Sequence, residues 1–509
     1  MSLFRKKSLE HLLAQAADSD KGLKRTLTAW SLIALGIGAI IGAGLFVRTA
    51  AAAGGHAGPA VTLSFIIAAV GCAFAGLCYA EFASMIPIAG SAYTYAYTTM
   101  GELVAWIIGW ALILEYALGA ATVSIAWSEY FNKLLGGKLP YEWTHSPFQS
   151  AIDSTTGILH HGIMNAPALL ILLILSLLLI RGTQQSAWVN AVIVFIKVTI
   201  VLVFIAIGWQ FISADNHTPY FIPADQAPAI LPDGKSYSYA DTFNHGWGGV
   251  LRGAAIVFFA FIGFDAVSTA AQEAKNPKRD MPIGILGSLV ICTILYILFS
   301  YVLTGVAPFT EFMKSGREAS VANAIDLHMP GYHWLATAVT IAILAGFSSV
   351  ILVMLLGQSR VFYSMSNDGL LPGTFSQLHS KFRTPFKSNW ILFLFVGAIA
   401  TLLPGDITGD LTSIGTLFAF VVVCVGVWIM RVKQPNVPRP FRTPLVPIVS
   451  TLGILICTAM IVSLDKTTQL TALAWMIIGL VIYFAYSRSR SKHKGPGEIL
   501  PNASDFEKK

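Results

Sequence analysis

The sequence predicts an all-α integral membrane protein of twelve transmembrane helices: two inverted five-helix repeats followed by two peripheral helices. Three observations predict it. The 509 residues are 55% hydrophobic and only 12% charged, with mean hydropathy +0.67, whereas a soluble chain holds about 25% charged residues. Apolar stretches of about 15 to 30 residues recur along the whole length, against about 20 needed to cross the hydrocarbon core. The first and sixth stretches carry glycine at mid-depth, in corresponding positions five spans apart.

Taken in order, the segment 1–28 is charged and leads straight into a full-length span, which reads as a start without a cleavable signal peptide. Spans at about 29–53, 60–86, 102–130, 163–180 and 186–212 make a first repeat over 29–212. Spans at about 247–272, 282–307, 332–362, 389–403 and 410–430 make a second over 213–430. Residues 431–487 hold peripheral helices 11 and 12, at about 446–463 and 470–487, and 488–509 form a tail. The shorter stretches cross if flanking polar residues snorkel or the bilayer thins. No intervening segment is long enough for a soluble domain.

Loop charge sets orientation. With the N-terminus inside, cytoplasmic segments hold about 24 of the 33 Lys and Arg residues, including Arg5, Lys6, Lys7, Lys278, Arg279, Arg431 and Arg439. External loops hold about 6, and Arg48, Lys197 and Arg252 fall inside spans. Both termini are therefore expected in the cytoplasm, with the protein in the cell (inner or plasma) membrane. The net charge of +7 is an address on the inner membrane face and no sign of a nucleic-acid partner. Cys72, Cys78, Cys292, Cys424 and Cys457 all lie in apolar spans, as small buried hydrophobes rather than a disulfide framework or metal site.

The first span contains Gly36, Gly38, Gly42 and Gly44, and the sixth contains Gly263 followed by Asp265. Glycine lowers helix stability by about 1 kcal/mol relative to alanine, and non-helical backbone at this depth is tolerated only where it lines a cavity or is buried in protein. Glycines taken singly suit close helix packing; the paired positions point instead to two interrupted helices of an inverted-repeat transporter. A freed helix N-terminus suits a carboxylate, and freed carbonyls suit an ammonium. Two facing breaks thus build a cradle for both ends of an α-amino acid. A dinucleotide fingerprint is excluded, because the run lacks the flanking strand and acid of a soluble βαβ unit.

Lys197 lies mid-way along a run from Ala187 to Ile212. A cation there costs about 3 kcal/mol on insertion scales, and its stem of about 6 Å cannot reach a headgroup roughly 15 Å away. It reads as a coupling group, set against a lysine paired to a nearby carboxylate for packing alone.

Together these residues resemble the amino acid–polyamine–organocation superfamily of permeases, and within it the bacterial members related to cationic amino acid transporters. The resemblance rests on Gly36 to Gly44, Tyr79-Ala80-Glu81-Phe82 leading to Pro87 and Gly90-Ser91-Ala92-Tyr93, and Leu114-Glu115-Tyr116. It continues through Phe259 to Asp265 with Glu273 and Lys275-Asn276-Pro277, Gly357-Gln358-Ser359-Arg360, and Asn367 to Pro372. It runs in order from about residue 22 to 487, and implies a leucine-transporter-type fold working by alternating access.

Carried over by position, the resemblance implies that the substrate carboxylate meets the N–H groups of Ala43 and Gly44. The ammonium meets carbonyls of Ile40, Phe259 and Ile262, with Phe259 also a lid. Phe347 falls at the floor of the side-chain pocket, where it disfavours a long charged side chain. Lys197 is placed where sodium-coupled relatives hold a metal, near Gly38, Ile41, Ser348 and Ser349, so that its protonation would do the coupling. Glu115 contacts the substrate side chain or pairs with Lys197. Asp265 reads as a cap on the lower half-helix, Glu81 as a gate or packing residue, and Arg48 and Arg252 as outer-gate partners of Asp406 or Asp410. His160 and His161 read as loop. Gly36→Ala is expected to be better tolerated than changes at Gly42 or Gly44.

The function expected is secondary active transport: proton-coupled symport of small or medium neutral L-amino acids. A cationic amino acid (arginine or lysine) carrier or exchanger of the same fold is the alternative. The partners implied are the amino acid, protons and membrane lipid, with no cofactor and no metal; a small membrane subunit stays open. A channel would need charged rings or filter carbonyls, and an intramembrane enzyme a nucleophile and base at depth; neither pattern is present.

Overall fold

The structure, a computed structural model, describes residues 5–7, 27–86, 91–153, 156–182, 187–269, 271, 274–313, 320–380, 382 and 384–492. Pro87, Gly90 and Glu273 of the motifs above lie outside the described residues, as do most of segments 1–28 and 488–509.

Among the described residues eight helices are long and apolar enough to cross a membrane, and four shorter ones are also apolar. The protein is a multi-pass membrane protein. In chain order the helices are α1 (Ala29–Ile40), α2 (Val61–Met85), α3 (Ser91–Thr99), α4 (Glu102–Leu134), α5 (Ala166–Ile180), α6 (Ala187–Gly208) and α7 (Gly246–Phe261). There follow α8 (Pro277–Val306), α9 (Ser320–His328), α10 (His333–Asn367), α11 (Phe386–Leu402), α12 (Gly405–Lys433), α13 (Val446–Ser463) and α14 (Lys466–Arg490).

Several helices outrun the apolar stretches that announce them. α8 starts five residues before its predicted span because Pro277 sits at the first helical position, where its fixed φ is already helical and its missing N–H costs nothing. α1 starts at a cap: Thr28 Oγ1 accepts the Ser31 N–H at 3.3 Å. Gly58, at φ +60° and followed by Pro59, turns the first span into α2.

Two small hairpins, absent from the apolar pattern, cover one face. β1 (Ser150–Ile152) pairs antiparallel with β2 (Leu159–His161), Ser150 opposite His161. β3 (Ala229–Ile230) pairs with β4 (Ser236–Tyr237). The Ile152 N–H donates to Pro232 O at 2.8 Å and ties the hairpins together. His160 and His161, expected in a loop, fall on β2 instead, where His160 lies 2.8 Å from Glu142.

The opposite face carries the first and last described residues, Arg5–Lys7 and Lys492. Arg5 O accepts the Glu102 N–H at 2.8 Å, and Lys492 N–H donates to Asp368 O at 3.1 Å. Lys7 closes on the Asp368 carboxylate at 2.6 Å, which also accepts the Tyr93 hydroxyl proton at 2.6 Å. We call this the terminal face.

α8 packs on α1 and α2, α10 on α4, and α12 on α13. α14 is fastened to α4 by indoles: Trp110 stacks on Trp475 at 4.6 Å, and Trp106 Nε1–H donates to Gly479 O at 2.8 Å. Glu81, open between gate and packing in the sequence, accepts from Arg431 at 2.9 Å and Arg439 at 3.1 Å, and so anchors the segment after α12 to α2. All five cysteines are buried and free.

Candidate functional site

The first span breaks where its glycines crowd. α1 ends at Ile40, Ile41 turns to extended backbone (φ −72°, ψ 104°), and helical bonding resumes at Gly44. The first bond across the restart runs from Leu45 N–H to Gly42 O at 3.2 Å. The amides of Ala43 and Gly44 precede it, the position at which a helix start leaves N–H groups without an intrahelical acceptor. The second break follows the same logic. The end of α7 tightens to a 3-10 turn over Phe258–Phe261, Ile262 is extended (φ −59°, ψ 134°), and Gly263 sits at φ +110°. Only glycine adopts that last conformation without strain.

The two breaks face each other closely. A Cβ at Gly44 would stand 2.1 Å from Ala260 Cα, and one at Gly263 2.9 Å from Ala39 O. Tyr296 of α8 bridges them, its hydroxyl 3.0 Å from Ile40 O and 2.9 Å from Ala260 O. Its single proton serves both carbonyls. The sequence reading missed Tyr296; its only signal is one tyrosine in the middle of an apolar run, between Leu295 and Ile297.

Ile40, Ala43, Glu115, Phe259, Ile262 and Phe347 are each 0–3% exposed, so the region is closed to solvent. The Phe259 carbonyl accepts the Ile262 N–H at 3.3 Å and keeps one lone pair for another donor. On the hairpin side lies an aromatic layer, with Phe347 packed on Phe46 (6.3 Å) and edge-on to Tyr130 (5.8 Å). Beyond it Arg48 pairs with Asp410, with Asp406 at 3.6 Å. Arg252 turns elsewhere, to Asp465 at 3.2 Å. On the terminal side a second layer joins Tyr79, Phe258, Phe264 and Phe420, with centroids 5.0–5.7 Å apart.

Lys197 is 2% exposed, and its ammonium donates to Gly38 O at 2.9 Å and Ile41 O at 3.0 Å. The broken end of α1 thus supplies its carbonyls to a fixed cation. Gly346 makes room for the lysine stem: a Cβ there would lie 2.6 Å from Lys197 Cε. Ser349 is buried one turn further on, while Ser348 donates to Leu344 O of its own helix at 2.8 Å.

Glu115 lies beside Asp265 and Thr416. Its carboxyl is fully buried, with the Thr416 hydroxyl and the Asp265 carboxyl within side-chain hydrogen-bonding reach. Tyr116 donates to Asp265 Oδ2 at 3.0 Å, and the Ser268 N–H to the Asp265 carbonyl at 2.8 Å. The lower half-helix restarts there as a single turn, Ala266–Thr269.

The family described as amino acid permease has a sequence model that matches residues 27–489. The chain is 44% identical to a branched-chain amino acid permease of Bacillus subtilis, over 96% of this chain and 99% of that one. It is 40% identical to a methylthioribose transporter of the same organism, over 96% and 99%. A vacuolar cationic amino acid transporter of Arabidopsis thaliana is 33% identical over 86% and 68%.

Proposed function

We propose that this chain, which belongs to the amino acid permease family, is a secondary active transporter that takes up neutral L-amino acids with protons by alternating access. The observation that carries the reading is the pairing of the two backbone breaks. They bring orphan amides of one broken helix and carbonyls of both into a buried space, beside an ammonium that needs no metal. The restart at Ala43 and Gly44 suits the substrate carboxylate; carbonyls of Ile40, Phe259 and Ile262 suit its ammonium.

Lys197 is the coupling residue in this reading. Protonated, it holds the Gly38 and Ile41 carbonyls and steadies α1; neutral, it loses its charge-assisted bonds and frees α1 to move. The helices fall in the leucine-transporter-type arrangement, twelve passes with both termini in the cytoplasm of the producing cell, as the distribution of Lys and Arg supports.

The side chain is neutral and of small or medium size. Phe347, Phe46 and Phe259 supply apolar wall, and the two bacterial relatives above are named for branched-chain amino acids and for methylthioribose. The buried carboxyl of Glu115, beside that of Asp265, is what favours the alternative of arginine or lysine. Purified protein in sealed proteoliposomes decides: an inward proton gradient without sodium is expected to drive uptake of valine or alanine. Excess arginine competing as well as the neutral amino acids would favour the alternative. Methylthioribose alone being taken up, or strict sodium dependence, would overturn the proposal.

A further inference from the structure

On the terminal face, away from the breaks, the first turns of α8 and the segment after α12 enclose a groove of about 690 Å³. Its mouth carries Lys278 and Arg279, and its wall is apolar: Ile283 and Leu286 of α8, with Phe441 opposite. We propose that this groove binds an anionic phospholipid from the leaflet on the terminal face.

The charge is the first argument. Lys278 and Arg279 are exposed in the first turn of a 30-residue helix, where cations oppose the positive end of the helix dipole. One acid, Asp280, shares that turn, but it is buried and accepts the Asn276 N–H at 3.2 Å as part of the helix start. The mouth is therefore net positive at the depth of phospholipid headgroups. An anion there offsets both the two like charges and the dipole.

The apolar wall is the second, and it selects the kind of anion. Ile283 begins a stripe of exposed side chains, with Val290, Ile294 and Leu298, that runs along one face of α8 toward mid-membrane. A small soluble anion would match the mouth and leave the wall bare. A phospholipid matches both, headgroup on the two cations and acyl chains on the stripe. The opposite wall is held firmly: Phe441 N–H donates to Ser84 Oγ at 3.3 Å, and Arg439 and the Thr443 N–H bond Glu81 at 3.1 and 2.9 Å. Behind the groove α8 presses on α1, a Cβ at Gly284 falling 2.7 Å from Leu32 Cβ. The lipid would thus brace the helix that backs the mobile half of the first span.

The test is native mass spectrometry of delipidated full-length protein titrated with phosphatidylglycerol or phosphatidylcholine of identical chains. Wild type is expected to retain phosphatidylglycerol preferentially. The double variant Lys278→Gln/Arg279→Gln should bind it about thirtyfold more weakly, the worth of two membrane-facing cations. Lys433→Gln/Lys492→Gln, which removes the same charge from the same face, should leave binding unchanged. Lys278→Glu/Arg279→Glu gives an independent loss should the first variant prove unstable. Equal loss in the control pair, equal retention of both lipids, or thermal protection by soluble glycerophosphoglycerol matching that of the lipid would each overturn the proposal.

Discussion

The Lys197 ammonium lies 2.9 Å from the carbonyl oxygen of Gly38, two residues before α1 ends at Ile40. A charge that would cost several kcal/mol in lipid is here solvated by backbone that the glycines release from helical bonding. Each feature needs the other: the open carbonyls need a donor and the cation needs acceptors.

Lys197→Ala is therefore expected to abolish uphill uptake driven by a proton gradient while sparing exchange of labelled for unlabelled substrate. Both are read in the same proteoliposomes. Gly346→Ala should mimic the loss in part, because the new methyl falls 2.6 Å from Lys197 Cε. Uphill uptake persisting in Lys197→Ala would exclude the lysine from coupling.

The glycines of the first span should separate by what their Cβ would strike. Gly44→Ala meets backbone, 2.1 Å from Ala260 Cα, and should be the most damaging. Gly36→Ala meets the Ser288 hydroxyl at 2.4 Å, and Gly42→Ala meets Val350 Cγ2 at 3.2 Å. For stability Gly36 thus changes places with Gly42 relative to the sequence expectation, while Gly44 stays the most damaging; Gly36 is packed against α8, and overpacking there costs about 1–3 kcal/mol. Thermal unfolding in detergent checks the order Gly42, Gly36, Gly44 of rising damage. Ser288→Ala should restore only part of the stability lost in Gly36→Ala, because Ser288 Cβ itself lies 2.6 Å from the new methyl.

Tyr296→Phe removes one proton shared by two buried carbonyls, Ile40 O and Ala260 O. The ligand-free protein should lose about 1–3 kcal/mol of stability. If the substrate ammonium takes over those carbonyls, saturating substrate should stabilise the variant more than the wild type. Equal thermal shifts on substrate addition would mean that Tyr296 serves packing alone.

Phe347→Ser should widen substrate range toward arginine and lysine, since removing the ring lowers the cost of lodging a charged head group. Competition against labelled valine uptake measures it. The variant also strips a partner from Phe46 and Tyr130, so the hairpin-side closure should loosen and a cysteine placed at Val47 should react faster with a polar thiol reagent. An unchanged competition profile would remove Phe347 from the specificity pocket.

Much of the site was legible in the linear chain. Both breaks fall where glycine interrupts an apolar run, because backbone without Cβ is the cheapest to unwind, and the pattern survives without knowing what the helices touch. Lys197 stood out for a similar reason, as a charge too deep to reach water. Arg48 with Asp410 was also among the pairings expected. Tyr296 was not, because one aromatic in an apolar helix carries no local anomaly; its role exists only where α8 crosses both breaks. Glu115 shows the same limit. Its depth was readable, but that it lies beside Asp265, itself bonded to Tyr116, depends on how α4 meets the second break.

The sequence by itself determined the membrane class, the number and order of apolar runs, the two interruptions and the buried cation, since each is a property of hydropathy, backbone freedom or charge along one segment. Only the tertiary structure decided who meets whom: Lys197 with the carbonyls of Gly38 and Ile41, Gly44 with Ala260, Tyr296 with both breaks, Glu81 with two arginines more than 300 residues away. Those contacts depend on the relative rotation and depth of separate helices, and inside a membrane, where every exposed face is apolar, hydropathy alone does not encode which face turns inward.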